Sequence, residues 1–235
     1  MNAPNETSTP PPVSHPASLM AALLKSPEHV TNAIAADKDG LRHGLTLLLC
    51  ALVFHAIFGL AIGLFGGSSA GLMAALKSPL IALCSLLLCL PSLYVFSSVG
   101  GAPLTLSQTI MLGAACLAMI GLLLIGLAPV AWLFSVSTAS LPFVVALTFL
   151  LWIIAVCFAI RFIRRSRTNP VFQRIGGIGI WFIIFIIVSL QMTTCMRPLL
   201  VKPDADKGWW TTEKKFFLAH FGSCFDDSKP AAKKR

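Results

Sequence analysis

The sequence predicts an all-α integral membrane protein, with five transmembrane helices in a bundle and amphipathic segments flanking it. Three observations predict it. No Asp, Glu, Lys, Arg or His occurs between Pro79 and Arg161. Only 11% of the residues are charged and 56% are hydrophobic, where soluble domains run at about 25% charged. All the acidic residues fall in the two terminal regions, the innermost being Asp39 and Asp204. A net charge of +9 would suggest nucleic acid for a soluble domain. Here the basic residues sit in one loop and in the tails, where topology and anionic headgroups account for them. A lipid bilayer is therefore the expected partner, and nucleic acid is not.

Residues 1–17 carry Pro4, Pro10, Pro11, Pro12 and Pro16 among Ser, Thr and Asn, a composition that cannot bury enough apolar area to fold. They are expected to be a disordered tail. No compact apolar core follows a positive start in this region, so the first membrane helix is expected to direct insertion itself. Residues 18–44 form an amphipathic juxtamembrane segment. Leu19, Met20, Leu23 and Leu24 fall at helical spacing, Pro27 interrupts them, and Val30 and Ile34 continue four apart. This predicts a helix lying on the membrane surface and broken at Pro27. The stretch from Leu19 to Pro27 nearly recurs from Leu72 to Pro79. Two short amphipathic helices meeting the same need at a headgroup boundary explain this better than duplication, because only one short unit matches.

Residues 45–196 are the transmembrane domain. Leu45 to Phe65 is long enough for a roughly 30 Å hydrocarbon core at 1.5 Å per residue. In this first span Ala51, His55, Gly59, Gly63 and Gly67 recur every four residues, which predicts a helix-packing face of small residues. His55 is the strongly ionisable side chain within the spans, and such a group is a functional candidate by default. With no carboxylate beside it, a neutral imidazole bonded to a neighbouring helix is the simpler expectation. The second span is Leu80 to Phe96, with a kink expected at Pro91 and Tyr94 at its interfacial end. After the turn at Gly100-Gly101-Ala102-Pro103, Thr105 or Ser107 is a suitable cap for a new helix. The third span, Thr109 to Phe134, offers Gly113, Ala114, Ala118, Gly121 and Gly126 for close packing and a second kink at Pro129. Pro142 opens the fourth span, Phe143 to Ile160, and Gly176 to Cys195 is the fifth. Whether residues 66–79 dip into the bilayer or lie on it is open from sequence.

Arg161, Arg164, Arg165, Arg167 and Arg174 cluster between the fourth and fifth spans, the signature of a cytoplasmic loop. The N-terminus is then cytoplasmic and residues 197–235, a basic aromatic tail, lie outside. Phe217, Phe221 and Phe225 recur four apart, which predicts a short amphipathic helix on the bilayer. Seven cysteines without a CxxC make no metal or redox motif. Five lie in apolar runs, leaving a Cys195–Cys224 bridge as an open question.

Lys77-Ser78-Pro79 before the second span and Gly100-Gly101 followed by Leu104-Thr105-Leu106-Ser107-Gln108-Thr109 before the third resemble the Yip1-type membrane proteins, including their bacterial members. Leu106 stands where that family has an aromatic residue. The resemblance implies a five-helix membrane domain, in a bacterial inner (plasma) membrane if the chain is bacterial, and no assigned chemistry. Enzyme motifs such as HExxH or a Walker loop do not occur, and His55 has no catalytic companion. The chain is therefore expected not to be an enzyme and to use no cofactor or metal. The function expected is a non-enzymatic scaffold or accessory subunit of a membrane complex, joined to a membrane-protein partner or to itself. A transporter or channel-like protein for a lipid or other small apolar substrate is the alternative, although coupling carboxylates are missing.

Overall fold

The computed structural model describes residues 16–36, 40–102, 104–138, 140–166 and 170–195. These residues form helices joined by short turns, in the order α1 (Pro16–Lys25), α2 (Pro27–Ala36), α3 (Gly40–Gly63), a 3-10 turn (Leu64–Gly66), α4 (Ser68–Val99), α5 (Leu106–Ser137), α6 (Leu141–Ser166), α7 (Pro170–Gln173) and α8 (Ile178–Cys195). Four helices, spanning Arg42–Gly66, Ser68–Val99, Leu106–Ser137 and Pro142–Ser166, are long and apolar enough to cross a membrane. The apolar helix Ile178–Thr193 is shorter than those four. Its sixteen residues rise about 24 Å, less than the roughly 30 Å core. The expectations for residues 1–15 and 197–235, for Arg167 and for the Cys195–Cys224 pair lie outside the described residues or side chains.

The core is built on α5, in which every residue from Met111 to Gly121 is buried. α3 runs parallel to it. Three levels of contact fix that register: Gly44 sits against Met111, Ala51 and His55 against Gly121, and the Ser135 hydroxyl donates to the Ala61 carbonyl at 3.0 Å. α4 runs antiparallel to α3 and α8 antiparallel to α4. α6 returns along α5, with the Phe134 and Phe143 rings 5.7 Å apart at the turn. The starts of α3, α5 and α8 and the ends of α4 and α6 therefore share one end of the bundle.

The second apolar helix begins well before Leu80. α4 starts at Ser68 and runs through Lys77 and Pro79 without a break, so residues 68–79 are one helix with the apolar run that follows. Packing explains this better than hydropathy. A methyl group on Gly63 would lie 2.5 Å from Ala74 Cβ and 2.8 Å from Gly71 Cα, and one on Gly59 would lie 2.7 Å from Ser78 Cβ. The early part of α4 is thus pressed backbone to backbone onto α3, and this holds the helix where Pro79 removes the N–H that would bond the Ala75 carbonyl. In the sister stretch, Pro27 instead begins a new helix after Ser26, whose N–H still closes on the Ala22 carbonyl at 2.9 Å.

The apolar stripe of the helical hairpin α1–α2 packs on the other helices. Leu19, Met20, Leu23, Val30 and Ile34 are buried in the same core cluster as Met111 and Leu112. α1 and α2 pack on α3, α5 and α6 and cover one end of the bundle. The apolar stripe is the one read from sequence; its counterpart is protein.

Overpacking of a filled interface costs about 1–3 kcal/mol, so Gly63→Ala should lower thermal stability in detergent by that order. Gly126→Ala, where a methyl group meets nothing within 4 Å, should leave it unchanged or raise it slightly through helix propensity, by up to about 1 kcal/mol. Equal melting curves for the two variants would show that the α3–α4 seam is not closed in this way.

Candidate functional site

His55 stands where α3 crosses α5. It is 5% exposed, and its Nδ1 lies 2.8 Å from the carbonyl oxygen of Ala51 on its own helix. That carbonyl can only accept, so Nδ1 carries a proton, and in the neutral ring Nε2 is left as an acceptor. The bond expected to a neighbouring helix is therefore an intrahelical one. What the neighbour supplies is space: a methyl group on Gly121 would lie 3.0 Å from His55 Nδ1 and 3.2 Å from the Ala51 oxygen. The imidazole lies over a position without a side chain.

The four-residue row does not stay on one face. Each step of four exceeds a full turn by about 40° at 3.6 residues per turn. Ala51 and His55 accordingly face α5, whereas Gly59 and Gly63 face α4. Gly67 leaves the row altogether: it has φ +97°, ends the 3-10 turn and is exposed with nothing near it. In α5, Gly113 meets Leu86 and Leu90 of α4, while Gly126 is exposed and meets nothing.

Pro91 and Pro129 lie inside α4 and α5. Near Pro91 the Cys89 carbonyl accepts from the Ser92 hydroxyl at 2.8 Å and from the indole Nε1–H of Trp181 at 2.9 Å. Trp181 is fully buried and packs on Phe182 and Phe185, with centroids 4.9 and 5.5 Å away. This indole joins α8 to α4 by a bond that no hydropathy pattern reveals. A lone Trp near the start of an apolar helix was the available signal.

At the shared end, Gly100 and Gly101 have separate tasks. Gly101 adopts φ +82°, its N–H bonds the Ser98 carbonyl, and the Ala102 N–H bonds the Ser97 carbonyl, each at 3.1 Å. This is a Schellman ending, which needs the left-handed conformation at Gly101. Gly100 is where the chain before α8 comes through: a methyl group there would fall on the Gly176 backbone nitrogen and 2.8 Å from the Arg174 carbonyl oxygen. Thr105, rather than Ser107, then caps α5. Its hydroxyl accepts from the Gln108 N–H at 3.2 Å and the Gln108 Oε1 accepts from the Thr105 N–H at 2.9 Å, a reciprocal capping box. The other end of the same amide donates from Nε2 to the Ala35 carbonyl of α2 at 3.3 Å. Gln108 thus ties the hairpin to the bundle, a role that sequence did not assign it.

Arg161, Arg164, Arg165 and Arg174 are all exposed at this end. Among the described residues, Glu28 is the carboxylate, and no group of three or more His, Cys, Asp or Glu could hold a metal ion. The chemistry the described residues offer is the His55 imidazole, the buried Lys77 amine on α4, hydroxyl and indole donors of which several bond backbone carbonyls, and a rim of guanidinium groups.

Trp181→Phe removes the donor and part of the buried indole, and should cost more stability than the roughly 1 kcal/mol of one such bond; thermal unfolding in detergent measures it. Gln108→Glu keeps an acceptor for the Thr105 N–H but sets a carboxylate oxygen against the Ala35 carbonyl. Limited proteolysis should then cut within residues 16–36 faster than in the wild type, with the rest of the helical core still resistant. Comparison with family models, with curated proteins and with solved structures gave no match.

Proposed function

We infer that the chain is a multi-pass membrane protein that serves as a non-enzymatic scaffold or accessory subunit of a membrane complex. In this reading α8 is the fifth span, and the end carrying α1–α2 and the arginines faces the cytoplasm of a bacterial inner membrane. The Yip1-type resemblance belongs to the same reading and contributes architecture only.

One observation carries it: the largest buried polar groups of α3 and α8 and a serine of α5 are turned to backbone carbonyls. His55 bonds Ala51, Ser135 bonds Ala61, and Trp181 bonds Cys89. Buried polar groups in hydrocarbon serve as interhelical glue or mark a functional path. Here Ser135 and Trp181 join neighbouring helices, and His55 closes on its own helix. The exposed arginines at one end support the orientation through the positive-inside rule.

Extraction from native membranes in mild detergent should recover the chain with a second membrane protein or as a multimer. Recovery only as a lone monomer would overturn the scaffold reading. Tags at the two termini should be accessible from opposite sides, the N-terminal one from the cytoplasm.

A further inference from the structure

One face of α6 runs from hydrocarbon into charge. Leu150, Ile154 and Phe158 are exposed and four residues apart, and the row continues through Arg161 and Arg165 with Arg164 beside it, all of them exposed. α6 is also the least covered of the long apolar helices, with 28% of its apolar window buried against 67% for α5. Its outer face therefore meets whatever surrounds the protein.

Helical side chains lean toward the helix N-terminus. The charged end of α6 is its C-terminus, so its arginine stems lean back toward the apolar row. The Arg161 guanidinium accordingly lies 5.9 Å from the centroid of the Phe158 ring, one turn below, within cation–π range. Arg164 stands about 4.5 Å further along the axis. An alkyl chain laid on Leu150, Ile154 and Phe158 would bring an attached anion to these two guanidinium groups. Each can bind a phosphate through two parallel hydrogen bonds.

The charge at this end fits such a ligand. Lys25, Arg42 and Arg174 are exposed there as well, and the carboxylate among the described residues is Glu28 on α2. We propose that this face of α6 binds an anionic phospholipid of the adjoining leaflet, with the phosphate on Arg161 and Arg164 and an acyl chain along Phe158, Ile154 and Leu150. The site rests on the reading that α6 crosses a bilayer.

The test uses the full chain in phosphatidylcholine vesicles containing a photoactivatable phosphatidylglycerol probe. Crosslinks should map to the peptide from Ile154 to Arg165 and weaken as salt is raised. Labelling should fall roughly fivefold for each arginine neutralised, as about 1 kcal/mol per charge implies, in R161Q/R164Q. R161K/R164K should retain part of it. Equal labelling by a matched phosphatidylcholine probe, unchanged labelling of R161Q/R164Q, or crosslinks to another protein at this peptide would overturn the site. Carbonate extraction of the same vesicles separates the two readings: a released chain fails the membrane reading, and a retained chain without preference for the anionic probe fails the lipid site alone.

Discussion

The close approach of α3 and α4 through Gly59 and Gly63 is the contact on which the rest of the bundle depends. In hydrocarbon, apolar burial cannot drive helices together, because lipid tails are as apolar as leucine. Association then relies on dispersion and backbone proximity, both of which need positions without bulk. Gly63 against Gly71 and Ala74, and Gly59 against Ala74 and Ser78, supply those positions. Because the small-residue row winds about 120° between Ala51 and Gly63, the same helix also turns Ala51 and His55 to Gly121 of α5. α3 is therefore the common partner, and the neighbouring helices inherit their register from it.

The prolines are tolerated because their neighbours are held. Each removes one donor and leaves the carbonyl four residues earlier without its helical partner, yet α4 continues through both Pro79 and Pro91. At Pro79 the retaining force is the seam with α3. At Pro91 the helix is held from the side, where the Trp181 indole of α8 bonds the Cys89 carbonyl two residues before the proline. The structure thus places a second helix beside each break.

What sequence made legible follows from what hydropathy measures. The absence of charge from Leu80 to Ile160 marks apolar helices, and the turn at Gly100-Gly101 marks their boundary. Composition cannot show which apolar stripe meets lipid and which meets protein, because both favour the same residues. Leu23 and Ile34 read as surface-lying for that reason and are buried in the core. The start of α4 was hidden by Lys77 and Pro79, which look like a boundary when read locally; its continuation depends on Gly59 and Gly63, some twenty residues earlier. Gly67 and Gly126 illustrate the converse, since spacing alone placed them on packing faces that the neighbouring helices do not reach. Gln108 and Trp181 were invisible as ties because each acts through a single directional bond to a distant carbonyl.

The two ends of the bundle differ in how firmly they are built, and that difference bears on the arginines. At the end holding Gly100, a Schellman turn, a reciprocal capping box, the Gly100–Gly176 backbone contact and the docked α1–α2 hairpin converge within a few residues of one another. The opposite end has the exposed Gly67 and the exposed Ser140 at its connections. Positive charge that served topology alone could ride on a loose loop, since the positive-inside rule asks only for proximity to the spans. Arg161, Arg164 and Arg165 instead project from α6 itself, on a helix whose inner face is anchored by Ala155, Ala159 and Phe162 in the core. A packed helix fixes the backbone positions from which these side chains extend, and a fixed set of anchor points is what a site for a particular headgroup requires and what a topological signal does not.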